Sequence, residues 1–394
     1  MTVAESTQPM ALRYYLRLGR VLLQRSVPRM GQRWLTANLR WEPLAVDQPM
    51  LPDHWVALRP LMTGICGSDL ALLRGHSSPY LAPVTSFPAV LGHEIVAEVI
   101  EPGHPLYGQR VAVDPTLGCQ ARGLPLCEAC QDGRRDDCLR RADPGLGPGI
   151  LLGYHQRLPG GWSQKMWAPA DQLVPVPESF ALERAVLVEP AAIVLAGLRR
   201  VHWEPVSTVL VIGTGPLGLL ALAFIRTLYP SVELVAFSRY PRQAELARLM
   251  GAQTVLPGPD RTLDAITGQP SPGMWGAPAY RPRGFDLTVV TAGSAQAVEQ
   301  GMTLTRPDGQ VLLLGGAGHV ALDFTPLWFR RLRLIGSYGY GPSGTDTFHT
   351  VVSLLTLMQQ PLEALVTHRF PLADYREAFA RITQRDAIKV VLTP

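Results

Sequence analysis

One turn constrains this chain more than any other feature. Gly213-Thr214-Gly215-Pro216-Leu217-Gly218 follows the apolar run Val209-Leu-Val-Ile and opens an apolar stretch that continues through Arg226. The first glycine permits a tight turn. The second lets the backbone approach a pyrophosphate, and the third lets a helix pack on the strand. The helix start then presents free N–H groups to the phosphates. The spacing predicts strand, turn and helix, with residues 213–218 binding a dinucleotide. A ligand-free glycine-rich turn is the plain alternative. Residues 205–225 carry no charge, but the glycines and Pro216 interrupt them. A strand–turn–helix explains the stretch better than a bilayer span, so no stable membrane insertion is expected.

The end of the next strand bears on the coenzyme. An NAD site places an acid there to hold the ribose 2′-hydroxyl. This chain has Ser238-Arg239-Tyr240-Pro241-Arg242 instead. A hydroxyl and two guanidiniums suit a 2′-phosphate, because arginine makes forked, charge-assisted hydrogen bonds to phosphate. Ser238, Arg239 and Arg242 therefore predict NADP(H) over NAD(H). Simple solvation of these arginines is the other reading.

Strand-like and helix-like runs alternate from residue 181 onward. This implies an α/β unit with a parallel sheet. Residues 44–170 are rich in proline, glycine and short β-type runs, and read as an irregular, antiparallel β domain. Residues 257–284 read as an inserted surface loop.

Five cysteines divide into Cys66 and a cluster, Cys119, Cys127, Cys130 and Cys138. Four thiolates at short spacing suit tetrahedral zinc. A redox-active pair at Cys127 and Cys130 is the rival. Such clustering favours a reducing compartment over a secreted disulfide framework, so a cytoplasmic location is expected. Separately, Cys66, His93 and Glu189 are residue types that can hold a catalytic metal with an open position. Spacing alone does not assemble them.

Charge excludes some functions. The net charge is +4, yet seven arginines and no acid lie within residues 6–41, leaving the remainder near −3. The basic character is local, and no nucleic-acid-binding surface is expected on the main body. Only Lys165 and Lys389 are lysines, and no phosphate-loop GxxxxGK[ST] occurs. Residues 11–25 have helical amphipathic spacing. That predicts a helix packed on the body or on a neighbouring subunit, with loose membrane association as the alternative.

Taken in order, GICGSD (64–69), VLGHE (90–94), the four cysteines after Val113-Asp114-Pro115, GGW (160–162), LVEP (187–190), GTGPLG (213–218) and the closing Ile388-Lys-Val-Val-Leu resemble a known family. It is the medium-chain, zinc-containing alcohol and polyol dehydrogenases, in the branch of sorbitol, threonine and glucose dehydrogenases. The resemblance covers about residues 50–394. It implies an α/β fold in which a GroES-like, β-rich catalytic domain carries an inserted Rossmann domain. The implied parts are a basic N-terminal extension (1–43), a catalytic domain (44–194) with a structural zinc lobe (115–142), a Rossmann domain (195–338) and a C-terminal part completing the catalytic domain (339–394).

The resemblance also assigns roles. Cys66, His93 and Glu189 are implied ligands of a catalytic zinc, and Glu94 is the acid beside it. The four clustered cysteines hold a structural zinc, giving two zinc ions per chain. Ser68 is implied to take the alcohol proton, and Lys389 to approach the coenzyme pyrophosphate. The expected partner is a small alcohol or polyol, and a homodimer or homotetramer is expected. A carbonyl or alkene reductase of the same fold, or a non-catalytic zinc- and dinucleotide-binding sensor, are the competing functions. Two departures stand out. The gap between Cys119 and Cys127 holds seven residues where the family usually has two. Ala71 stands where many relatives end a proton relay in histidine, with His76 a candidate substitute.

Overall fold

The computed structural model describes residues 8–21, 35–44, 51–143, 145–204, 206–275, 279–316, 318–384 and 386–394. The chain forms two compact units. Met1–Glu189, Gly341–Val352 and His368–Pro394 make the first, and Pro190–Tyr340 with Ser353–Thr367 make the second.

The first unit is the β-rich, GroES-like part. Its main sheet runs Val366–Pro371, Lys389–Thr393, Trp55–Gly64, Glu94–Val99, Arg110–Val113, Leu173–Pro175, and Met166–Pro169 also pairs with Trp55–Gly64. Trp55–Gly64 is buried along almost its whole length, as expected of a strand with partners on both edges. A core of wholly buried side chains, among them Trp162, Tyr14 and Phe379, packs in this unit. Trp162 meets Phe379 edge-on at 5.6 Å.

The N-terminus departs from the expected helix over 11–25. Met10–Tyr14 is a strand, paired antiparallel with Leu39–Pro43 and with Ala89–Val90. Ala11, Leu12 and Tyr14 are fully buried, and Leu12 N–H donates to the Trp162 carbonyl at 2.8 Å. Helix begins only at residues 18–21, and the remainder of the expected helix lies outside the described residues. Pairing with two other strands outweighs the helical spacing of the side chains, which is a weaker local preference. The arginines also find partners here. Arg13 Nε lies 3.0 Å from Glu42, Arg20 donates to the Ala37 carbonyl at 2.7 Å, and Arg40 stacks over the Tyr15 ring.

The second unit is a six-stranded sheet in the order Thr254–Leu256, Glu233–Phe237, Thr208–Ile212, Phe285–Val290, Thr305–Leu313, Arg333–Gly336. Every pair is parallel. In chain order this is 3-2-1-4-5-6, the Rossmann arrangement, and ligands of such sheets bind where the order reverses. That point lies between Thr208–Ile212 and Phe285–Val290. The strand Thr208–Ile212 is an almost unbroken buried run, as central parallel strands are. Residues 257–284 are more ordered than a loop. They carry a turn of 3₁₀ helix at Arg261–Leu263 and a short helix at Asp264–Thr267. Buried Arg281 pins them through Asp264 at 2.7 Å. Among the described residues no helix is long and apolar enough to cross a membrane.

Candidate active site

Backbone pairing assembles the first constellation. Gly64 pairs with Glu94 and also with Val391, so three distant segments meet at one point of the sheet. Only glycine fits at 64, because a Cβ there would overlap the Glu94 carboxylate. Segment 160–162 then clamps the histidine segment from the other side. Gly160, Gly161 and Trp162 donate to the carbonyls of Val90, Gly92 and Leu91 at 2.8, 2.8 and 3.0 Å.

Cys66 stands at the start of the helix Gly67–Leu73, where Asp69 returns a carboxylate oxygen to its backbone N–H at 2.9 Å. Asp69 is completely buried. Its other oxygen lies 3.1 Å from the Tyr154 hydroxyl and 3.6 Å from His93 Nδ1. The last distance is too long for a good hydrogen bond, and among the described residues His93 Nδ1 has no hydrogen-bond partner. The Tyr154 ring lies 5.6 Å from the His93 ring, and its hydroxyl is also 3.1 Å from Ser68 Oγ. Ser68 is exposed while Tyr154 and Asp69 are buried. Burial alone would discharge His93, but the Asp69 carboxylate and the Cys66 thiol outweigh it and raise its pKa well above the ordinary value. Burial and the Asp69 charge both push Tyr154 well up.

Glu94 and Lys389 form the floor. Lys389 Nζ lies 2.5 Å from the Glu94 carboxylate and 3.4 Å from the Ile65 carbonyl. Thr63 Oγ1 donates to the Glu94 carbonyl at 2.9 Å, so both ends of Glu94 are fixed. Burial lowers the Lys389 pKa, yet the charges of Glu94, Cys66 and Glu189 prevail and raise it. Lys389, which the resemblance directs towards coenzyme phosphates, has a carboxylate partner inside the first unit. Its ammonium is held on Glu94, within the first unit.

Cys66 and His93 are brought together, and Glu189 is buried close enough to act on Lys389. Among the described residues, however, only Cys119, Cys127, Cys130 and Cys138 place their ligand atoms within 4.8 Å of one another. Cys66, His93 and Glu189 do not converge to that degree. His76 is exposed, and the partner of the Ser68 hydroxyl is Tyr154 instead.

The four clustered cysteines fit zinc. Cys119 and Cys138 sulfurs are 3.6 Å apart. A disulfide needs about 2.05 Å, whereas a tetrahedral site with Zn–S of about 2.3 Å needs sulfurs about 3.8 Å apart. Burial tends to raise Cys127, but backbone N–H groups of Leu139 and Cys130 outweigh it and bring this thiol down to about 6. Burial pushes the Cys130 and Cys138 thiols up. The long gap is absorbed by a reversal. Gln120–Arg122 is a 3₁₀ turn, Gly123 is left-handed, and Leu124 N–H returns to the Cys119 carbonyl at 3.0 Å. Arg122 in this insert is buried and donates to the carbonyls of Leu117, Gly147, Arg141 and Gly149.

In the second unit the glycine turn ends Thr208–Ile212 at the point where strand order reverses. Gly213 is left-handed, and a Cβ on Gly218 would overlap the Gly213 carbonyl. Gly215 caps the helix Pro216–Leu228, and a Cβ there would meet nothing within 4 Å. That open space is what a pyrophosphate backbone contact requires. Leu217 and Pro216 form the first helical turn. Thr214 Oγ1 donates to Ser238 Oγ at 2.8 Å, and Ser238 is buried. Ser238 is thus committed to Thr214 and to the Tyr240 carbonyl at 3.4 Å. Arg239 and Arg242 are exposed, resting on Gln296 and Glu245 at 2.9 and 2.8 Å.

Comparison with known proteins agrees with this architecture. The alcohol dehydrogenase GroES-like domain model matches residues 52–178, and the zinc-binding dehydrogenase model matches residues 216–356. The chain belongs to the medium-chain, zinc-containing alcohol and polyol dehydrogenases. It is 28% identical over 352 residues to L-galactonate-5-dehydrogenase of Escherichia coli K12, covering 88% of this chain and 93% of the relative. Two solved structures share the fold at TM-score 0.74 and 22% identity, covering 99% of this chain and 100% of each. One is described as a short chain alcohol dehydrogenase of Escherichia coli CFT073 and carries NADH. The other is described as a zinc-binding dehydrogenase of Sinorhizobium meliloti 1021 and carries NADP. The chain is an oxidoreductase of alcohols or polyols that uses a dinucleotide.

Sequence reasoning missed Asp69 and Tyr154. Asp69 stood inside GICGSD, so only its role was hidden. Tyr154 lies in a glycine- and proline-rich stretch with no motif to mark it.

Proposed function

We propose that this chain interconverts a secondary alcohol or polyol and its ketone, with zinc in the catalytic site and NADP(H) as the preferred coenzyme. The observation that carries the reading is Asp69 anchoring Cys66 and Tyr154, with His93 Nδ1 3.6 Å away, beside the exposed Ser68. A zinc ion held by Cys66, His93 and Glu189 would supply Lewis-acid polarisation of the substrate oxygen, and the nicotinamide would supply the hydride acceptor. The residues do the rest. Ser68 is exposed, and its Oγ takes the proton of the substrate hydroxyl while releasing its own, so that one proton leaves the site for solvent. Asp69 fixes the Cys66 backbone and faces His93, the placement of an orienting carboxylate behind a metal ligand. Lys389 pairs with the Glu94 carboxylate behind them.

The coenzyme preference rests on the missing acid after Phe237 and on exposed Arg239 and Arg242. A second zinc in the four-cysteine lobe is structural. The family supports a homodimer or homotetramer, and the thiol-rich, disulfide-free lobe supports a reducing, cytoplasmic setting.

The deciding experiment is a panel of secondary alcohols, polyols, aldoses and threonine with both coenzymes, on protein of measured zinc content. Turnover with NADP⁺, abolished by Cys66→Ser or His93→Ala, is the expected result. Equal or better kcat/KM with NAD⁺ would overturn the coenzyme assignment. Turnover by metal-stripped protein would overturn zinc catalysis. Hydride addition to an activated alkene is the competing reading, and alkene substrates in the same panel decide it.

A further inference from the structure

Tyr154 touches the site at both ends of one hydrogen-bonded chain. Its hydroxyl lies 3.1 Å from Ser68 Oγ and 3.1 Å from Asp69 Oδ1. A phenol has one proton to give, and a carboxylate can only accept. The Tyr154 proton therefore goes to Asp69. The phenol oxygen is left to accept, and the group in reach that can donate to it is the Ser68 hydroxyl.

We infer that Tyr154 is a positioning residue: it draws the Ser68 hydroxyl proton inward and leaves the outward lone pairs of Ser68 Oγ to accept a hydrogen bond from the substrate hydroxyl. Exposure runs the right way for this. Ser68 is open, Tyr154 is 9% exposed, and Asp69 is fully buried. The tyrosine is itself held. Its N–H donates to the Leu151 carbonyl at 3.1 Å, its carbonyl accepts from Ser86 N–H at 3.2 Å, and its ring lies against His93. Asp69 is anchored on the Cys66 N–H at 2.9 Å, so the chain of donors ends on a fixed acceptor. Without Tyr154, the Ser68 proton is free to point at the substrate, and a hydroxyl that donates cannot accept along the same line. The family's usual histidine is absent at Ala71, and the exposed His76 is not the partner of Ser68.

This inference rests on the proposed alcohol oxidation, and a double-mutant cycle separates the two. Wild type, Tyr154→Phe, Ser68→Ala and the double variant are assayed with alcohol and coenzyme, and each is unfolded in denaturant. Phenylalanine keeps the ring and removes only the hydroxyl. Tyr154→Phe should lower kcat about tenfold, the effect of losing one orienting hydrogen bond. The KM for coenzyme and the zinc content should be unchanged. In the Ser68→Ala background the same substitution should cost nothing further, because there is no hydroxyl left to orient. Multiplicative losses in kcat would overturn the inference. If wild type turns over no alcohol, the functional reading falls, and the unfolding cycle still decides the link. Non-additive midpoints support the Ser68–Tyr154 hydrogen bond, and additive ones overturn it.

Discussion

Lys389 Nζ sits 2.5 Å from the carboxylate of Glu94, and neither residue is more than 2% exposed. Residues 295 apart in the chain are joined here because the last strand pairs with Trp55–Gly64. Removing one partner leaves a charge buried without compensation, which costs about 3–5 kcal/mol. Lys389→Met and Glu94→Gln should each destabilise by that order in chemical unfolding. The double variant should lose much less than the sum. The pH dependence has a definite sign. Glu94 raises the Lys389 pKa above its ordinary 10.5, so the folded state holds the proton more tightly. The stabilisation is complete below 10.5 and fades as pH climbs through the higher folded value. The gap between wild type and Lys389→Met should therefore be flat from neutral pH to about 10. A gap that shrinks between pH 7 and 9 would show that the ion pair is not its source.

The two metal constellations should separate by substitution. Metal analysis of wild type should find two zinc ions per chain. Cys127→Ser breaks a set of four sulfurs that already lie within 4.8 Å of one another. It should lose one zinc and lower the thermal midpoint, because a structural zinc contributes its binding energy to folding. Cys66→Ser should keep that zinc, keep the midpoint close to wild type, and lose turnover. Loss of both zinc ions in the Cys127→Ser protein would mean the sites are not independent.

How much of this was legible in the sequence differs from residue to residue. The Gly213–Gly218 turn could be placed because its three glycines answer to local steric demands that the structure confirms at Gly213 and Gly218. The four-cysteine cluster was legible because its ligands are close in sequence. The seven-residue gap was visible, but its solution was not. That solution needs the 3₁₀ turn at Gln120–Arg122 and a buried arginine whose partners are carbonyls 5 to 27 residues away. Residues 11–25 have the side-chain spacing of a helix, yet Met10–Tyr14 is a strand whose partners are supplied by residues 39–43 and 89–90. Periodicity within the segment carries no information about them. Tyr154 meets Ser68 and Asp69 across separations of 86 and 85 residues, in a stretch with no repeating pattern.

Coenzyme choice should follow the two exposed guanidiniums rather than Ser238. Ser238 is buried, and its hydroxyl is engaged by Thr214 at 2.8 Å. Arg239→Ala should raise the KM for NADP⁺ by roughly tenfold or more, the loss of one charge-assisted phosphate contact, with little effect on NAD⁺. Ser238→Ala should change stability more than selectivity. Kinetics with both coenzymes on the three proteins check this, and an unchanged ratio in Arg239→Ala would remove that residue from the phosphate site.

Acid tolerance of the second unit should depend on Asp286. One carboxylate oxygen accepts from Ser207 N–H and Oγ–H at 2.9 and 2.8 Å, and from Thr208 N–H and Oγ1–H at 2.9 and 3.0 Å. The other meets Arg306 Nε at 2.5 Å. Burial would raise this group, but the Arg306 guanidinium and then the Ser207 and Thr208 donors outweigh it and bring it from 3.8 to about 2. A carboxylate whose folded pKa is depressed binds its proton more readily when unfolded. Its stabilisation is therefore complete above 3.8 and disappears as pH falls through about 2. Asp286→Asn should be less stable than wild type at pH 7, and the difference should narrow between pH 4 and pH 2. Unfolding midpoints taken across that range measure it directly. A difference that holds constant down to pH 2 would mean that asparagine costs packing or hydrogen bonds alone, and that the carboxylate charge contributes nothing to the junction between strands Thr208–Ile212 and Phe285–Val290.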